Sequence, residues 1–314
     1  MGLFSSLFFS EKTEESQQQK ADRKNFDILK YDGIRAQRMG KLDYAVKCFT
    51  EALKIREDFE TMKYLMSAFY TLNRHDQALE TLNAMVKTGE EPANTLLMRA
   101  NLLFMMGKPS EAAVDCGQAI ELEPDNPAAY FQMAKIKRTL GEPDDAIVNL
   151  DHVIRIKPDF ADAYSLRADV CLSIGKGNDA LADIEKLIEL TPEDETAWLL
   201  RGRTRELLGD TDAALLDYQQ ALELNPFNEE ACLLSGQLMM TSGKYEEAIA
   251  LFDEATELNE KFARAYAARA EAKRKTGDHE GALADEEKSR ELTPDEKTNP
   301  TENNFDDLYK GVII

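Results

Sequence analysis

Three histidines and four cysteines are all that 314 residues carry of the commonest transition-metal ligands, and neither set forms a cluster. A metal site needs several ligands converging on one point. His75 and His279 instead fall in equivalent turns, and His152 stands alone on a helical segment, so all three are expected to face solvent. Cys48, Cys116, Cys171 and Cys232 are far apart and no CxxC pair occurs. Three of them fall on apolar helical faces, and the set reads as reduced core thiols. No stretch approaches the ~20 apolar residues of a membrane-spanning helix. Bases are also short: 38 Lys and Arg stand against 59 Asp and Glu, a net charge of −21. Phosphate affinity comes largely from Lys and Arg, so nucleic acid is not an expected ligand, and the acidity serves solubility.

Catalytic signatures are missing too. Gly175-Lys176-Gly177 lacks the preceding glycine spacing and the Lys-Ser/Thr pair of a phosphate loop. Carboxylate pairs such as Asp144 and Asp145 recur at helix starts, where they complement the dipole and need no acid–base role. No Ser–His or Cys–His set has support. The expectation is a protein that is not an enzyme and takes no cofactor and no metal.

What the sequence does have is a period. Gly107, Gly141, Gly175, Gly209, Gly243 and Gly277 lie 34 residues apart, and Gly40 and Asn73 extend the series with one single-residue slip. Alanine follows each at a fixed offset, from Ala45 to Ala282. Such a period means a stack of like supersecondary units. In one unit, Asn126 caps a helix that starts at Pro127, where the missing N–H costs nothing. Tyr130, Ala134 and Lys137 follow at helical spacing, and Gly141 ends the helix. Pro143, Asp144 and Asp145 open a second helix with Ala146, Leu150 and Val153 as its apolar stripe. Small residues mark close helix approaches at Gly33, Ala100, Ala134, Ala168, Gly202, Gly236 and Ala270. A larger side chain there would overpack the joint by roughly 1–3 kcal/mol. The fold class predicted is all-α: about eight helix-turn-helix repeats starting near residues 26, 59, 93, 127, 161, 195, 229 and 263.

These residues resemble the tetratricopeptide repeat family over about residues 26 to 296. The sixth unit fits best, with Trp198, Gly202, Gly209, Ala214, Tyr218, Ala221 and Pro226 in the family's spacing and Arg201 in place of the usual leucine. The second unit departs, with Met66 and Met85 at small-residue positions. The eighth has Glu286 and Ser289 where others bury apolar side chains, which reads as a terminal cap with a solvated outer face. The resemblance implies a right-handed superhelical solenoid. It is specific for fold and weak for function.

The resemblance also implies that first helices line a concave groove. Carried onto this chain, the groove positions are Lys63, Tyr64, Tyr70, Leu97, Met98, Asn101, Phe104, Met105, Phe131, Lys135, Arg138, Leu166, Asp169 and Arg203. Leu172, Leu199, Leu200, Leu233, Leu234 and Met240 extend the apolar series. Contiguous apolar surface of this kind implies a partner, the alternative for some of these side chains being packing against the adjacent second helix, and bases such as Lys30, Lys135, Arg203 and Arg264 bring the groove near neutrality. It suits a segment with apolar anchors. The two-carboxylate clamp some family members use for chaperone tails is absent: Lys30 is paired with Ile34, Lys63 with Ser67, and Asn101 with Leu97.

Three regions follow. Residues 1–25 hold an apolar start, MGLFSSLFF, and a polar linker or solvated helix. No basic segment precedes the apolar run, so a signal peptide is not expected, although Gly2 and Ser6 match the permissive myristoylation pattern. Residues 26–296 form the repeats. Residues 297–314 form a tail that caps the last repeat or docks in a groove. The expected function is a cytoplasmic, non-enzymatic scaffold that binds a protein or peptide segment. The chain's own tail and a second copy are candidate occupants. The alternative is an assembly or regulatory subunit docked to a membrane surface or larger complex through its apolar start.

Overall fold

Residues 17–293 are described by the computed structural model, and among them there are sixteen helices and no strand. In chain order they are α1 (Gln17–Arg38), α2 (Leu42–Ile55), α3 (Phe59–Thr71), α4 (His75–Thr88), α5 (Pro92–Met105), α6 (Pro109–Leu122), α7 (Pro127–Thr139) and α8 (Pro143–Ile156). Then come α9 (Ala161–Ser173), α10 (Gly177–Leu190), α11 (Glu195–Leu207), α12 (Thr211–Leu224), α13 (Glu229–Thr241), α14 (Tyr245–Leu258), α15 (Ala263–Thr276) and α16 (His279–Leu292). Each consecutive pair is one repeat, so the eight expected repeats are present. The expectations for the apolar start and for the tail lie outside the described residues. Helix α1 begins at Gln17, so the stretch up to Lys24 is helix rather than linker from that point on.

The helix ends follow the sequence grammar. Asn126 accepts from the Ala128 N–H at 3.0 Å. Asp58, Asp194, Asp210, Asn228 and Asp278 cap their helices in the same way. Gly141 lies at φ 73°, and Glu142 N–H closes back to the Lys137 carbonyl at 2.9 Å, the Schellman closure that favours glycine. Asn73 takes the glycine's place in the second repeat at φ 56°, a left-handed conformation that asparagine tolerates.

The chain divides into two compact units, Met1–Ile136 and Lys137–Ile314, with the boundary inside α7. In the first, each helix from α1 to α6 packs on the next; in the second, each from α8 to α16 does. The core of the first unit gathers Phe49, Phe59, Met62, Leu65, Phe69, Leu82 and Met85. In the second unit, Tyr164, Ile184, Leu187 and Ile188 form one cluster and Leu233, Phe252 and Ala255 another. All four cysteines are buried and unpaired. Burial pushes the thiol of Cys116 up to about 12 and those of Cys171 and Cys232 up to about 11, so they behave as inert core residues.

The small-residue positions have a specific reason. A Cβ on Gly202 would lie 2.4 Å from the ring of Tyr218, and one on Gly236 would lie 2.4 Å from the ring of Phe252. Gly33 stands in the same relation to Phe49, at 2.5 Å. Glycine occurs where the second helix offers an aromatic ring. Ala168 shares its cluster with the smaller Ile184.

Three expectations need correction. Leu172, Leu233 and Leu234 are buried in the core, not exposed on an inner face; each packs against its own repeat's second helix or a neighbouring helix. Glu286 and Ser289 do not form a solvated outer face: Glu286 pairs with Arg274, and the Ser289 hydroxyl donates to the Ala263 carbonyl at 3.0 Å. His75 is not simply solvated: its Nδ1 is buried without a partner, and its ring meets that of Tyr70 edge-on at 6.2 Å.

Candidate functional site

The nominated residues all lie on first helices: α3, α5, α7, α9 and α11. In the first unit, Tyr70, Asn101 and Met105 are exposed, whereas Lys63, Tyr64, Leu97, Met98, Phe104, Phe131 and Lys135 are half-buried. Tyr64 stacks on Phe49 with ring centroids 5.7 Å apart, and Tyr64 and Met98 both pack against the core cluster. Leu97 packs against Ala93, Leu96 and Ala119. These three therefore support the repeat as well as edging the face. Tyr70 donates its hydroxyl to the Met105 sulfur at 3.0 Å, linking α3 to α5. Lys135 sits over the Phe131 ring at 5.8 Å.

The charges of this face are already engaged between successive repeats. Lys30 pairs with Asp58 at 2.9 Å and with Glu60 at 2.5 Å, and Lys63 pairs with Glu91 at 3.1 Å. Burial alone would raise the Asp58 carboxyl. Hydrogen bonds from Thr61 and Lys30 outweigh it and hold the group below its ordinary range. In the second unit, Arg138 pairs with Asp169, and Arg203 donates to Glu230 at 2.7 Å. Glu230 also meets Arg264 at 3.4 Å. Leu166, on α9, is half-buried. In each unit these charges are neutralised by local pairing. Lys63 borders a cavity of about 910 Å³ with Asp58, Glu60, Lys87 and Glu91.

A second polar system was not among the nominated residues. Arg99, Arg167, Arg201 and Arg269 each grip an aspartate sixteen residues later, on the second helix of the same repeat: Asp115, Asp183, Asp217 and Asp285. The aspartates are buried. Arg99 and Arg269 also reach back sixteen residues, to Asn83 at 2.9 Å and Asp253 at 2.7 Å, and Arg167 reaches Asp151 in the same way. One guanidinium thereby ties two consecutive second helices to a first helix, using the planar fork that suits Arg and not Lys. Tyr164, Trp198 and Tyr266, one helical turn earlier, lie under Arg167, Arg201 and Arg269. The hydrogen bond to Asp183 raises the Arg167 pKa, and that to Asp285 does the same for Arg269. The signal that reveals this clamp in the sequence is the joint recurrence of Arg and Asp: repeats 3, 5, 6 and 8 have both, whereas repeat 7 has Ser235 and Leu251.

Among the described residues no helix is long and apolar enough to cross a membrane, and no group of three or more His, Cys, Asp or Glu could hold a metal ion.

The geometry defines a helical-hairpin repeat protein, and sequence comparison identifies which kind. A tetratricopeptide repeat model matches residues 103–170 and 207–284, and a second of the same description matches residues 168–229. Together they cover more than half of the chain, which belongs to the tetratricopeptide repeat family. No curated protein matches it. Among solved structures, a tetratricopeptide repeat protein from Parabacteroides merdae is 18% identical, with a TM-score of 0.56 over 80% of this chain and 97% of that one. A double mutant of MamA RS-1 is 21% identical, with a TM-score of 0.51 over 54% of this chain and 96% of that one. YrrB, described as a TPR protein with an unusual peptide-binding site, is 23% identical, with a TM-score of 0.49 over 58% of this chain and 93% of its own. At these identities the likeness is one of fold.

Proposed function

We propose that this protein is a non-enzymatic, cytoplasmic interaction scaffold that holds an extended or helical protein segment along the face of its first helices. One observation carries the reading. Tyr70 and Met105 leave 37% and 52% of their surface open on adjacent first helices, with half-buried Phe104 beside them. The neighbouring charge Lys63 is paired with Glu91 and so is held in place. Apolar anchors framed by pre-positioned polar groups are what a segment-binding groove requires. The family's repeats support a protein or peptide as the ligand class.

A photo-crosslinking side chain at position 105 tests this. It is expected to capture a partner segment that the same side chain at Val114, on α6, does not. Phe104→Ser with Met105→Ser is expected to weaken that complex by about 1–3 kcal/mol per anchor lost while circular dichroism stays unchanged. Capture at 114 and not at 105, or unfolding of the double variant with unchanged residual binding, would overturn the assignment.

A further inference from the structure

Helices α13 and α15 border a trough of about 470 Å³, with Met240 on one wall and Arg264, Ala267 and Ala268 on the other. The two alanines leave it open; Met240 and Ala268, which pack against the cluster of Phe252 and Leu233, are its apolar lining, and Gln237, Thr241 and Glu271 line it as well. The charged side chains that line the trough are Arg264, which meets Glu230, and Glu271, while Arg269, Lys273 and Arg274 of α15 are engaged with Asp285 and Glu286 of α16.

Residues 294–314 carry apolar residues within an acidic stretch. Asp295, Glu296, Glu302, Asp306 and Asp307 stand against Lys297 and Lys310. Phe305, Leu308, Tyr309 and Val312 recur at i, i+3, i+4 and i+7, the spacing that places anchors on one face of a groove-bound helix. The Ser289 hydroxyl donates to the Ala263 carbonyl at 3.0 Å, so the last turn of α16 lies beside the first turn of α15, one residue from Arg264. The twelve residues from Thr293 to Phe305 span up to ~40 Å when extended, whereas the trough-lining residues from Arg264 to Glu271 rise only ~10 Å along α15. Reach is ample. A tether of this length gives an effective concentration in the millimolar range, so a weak contact suffices.

We propose that residues 305–312 of this chain occupy the trough between α13 and α15 in cis, so that a ligand of the first-helix face at repeats 7 and 8 must displace them. This rests on the reading of that face as the binding face.

The test compares two full-length proteins: the wild type, and one carrying Phe305→Ser, Leu308→Ser and Tyr309→Ser. The probe is a labelled synthetic peptide of residues 302–314. The triple variant is expected to bind the peptide at least about tenfold more tightly than the wild type, whose own segment competes. Ala267→Glu, at an exposed position, added to the triple variant is expected to weaken the peptide about tenfold, or roughly 1.4 kcal/mol. Ala284→Glu on the exposed side of α16 should leave it unchanged. No binding to the triple variant at millimolar peptide overturns the proposal, as does binding indifferent to Ala267→Glu. A wild-type dimer that forms with concentration and is lost in the triple variant places the segment on a second copy, and also overturns it. If any of these occurs while crosslinking at position 105 still captures a partner, the cis occupant falls and the scaffold reading stands.

Discussion

Repeats 6 and 7 use the same joint and differ beside it. In both, a first-helix glycine receives an aromatic ring from the second helix: Gly202 takes Tyr218 and Gly236 takes Phe252, each with room for no Cβ. The neighbouring position in repeat 6 is Arg201, bound to buried Asp217; in repeat 7 it is Ser235, wholly buried with its hydroxyl unpartnered. Repeat 6 also sends Arg205 to Asp217 at 2.8 Å and the Tyr218 hydroxyl to Glu206 at 2.8 Å. The fold therefore closes with an ionic clamp or without one. A well-paired buried ion pair gains little over an apolar filling, whereas its breakage costs much.

The largest effect expected from breaking this contrast is Asp217→Ala. It strands Arg201 and Arg205 beside a buried site and should cost about 3–5 kcal/mol. Local hydrogen exchange should show the loss in α11 and α12 before α15 and α16. A cost below about 1 kcal/mol would mean that the clamp is dispensable. Next come Gly202→Ala and Gly236→Ala, each expected to cost about 1–3 kcal/mol by overpacking. Chemical denaturation of the two variants measures whether the clamp stiffens the joint. A larger cost at Gly202 says that it does, and equal costs say that the ring alone sets the limit.

Acid sharpens the contrast between repeats 7 and 8. Burial would raise the Asp285 carboxyl, but hydrogen bonds from Arg269 and Lys273 outweigh it and hold it below its ordinary value. A depressed folded pKa means that its stabilisation is complete above the unfolded value of ~3.9 and fades as pH falls through the folded value. Hydrogen exchange corrected for intrinsic rate should therefore show α15 and α16 losing protection below about pH 4. Asp285→Asn should flatten that loss. The smallest effect belongs to Ser235→Ala, which removes an unpartnered buried hydroxyl. Stability should stay level or rise by up to ~1 kcal/mol, and a loss above that would show that the hydroxyl has a partner.

Much of this was legible in the chain. The left-handed turn positions, the Asn126 cap and the buried stripe of Ala146, Leu150 and Val153 follow from spacing, because a helix end and a helix face are local events. Arg201 stands out in the sequence as a departure from the family's leucine. Its partner is invisible there, since Asp217 comes within 2.7 Å only when two helices fold back antiparallel. The inner-face charges have the same history: Lys63 and Glu91, or Arg203 and Glu230, are 28 and 27 residues apart and belong to different repeats. Leu172 and Leu233 share helices with groove candidates, and only packing against neighbouring helices decides that they are core.

By itself, then, the sequence determined the repeat, its helices, their caps and the family, because a 34-residue period imposes the same local rules eight times. Tertiary structure alone decided which polar residues are partners and which apolar residues remain open. Burial and ion pairing depend on distances between helices, and those distances are set by how large a side chain each facing position admits, as the rings against Gly202 and Gly236 show.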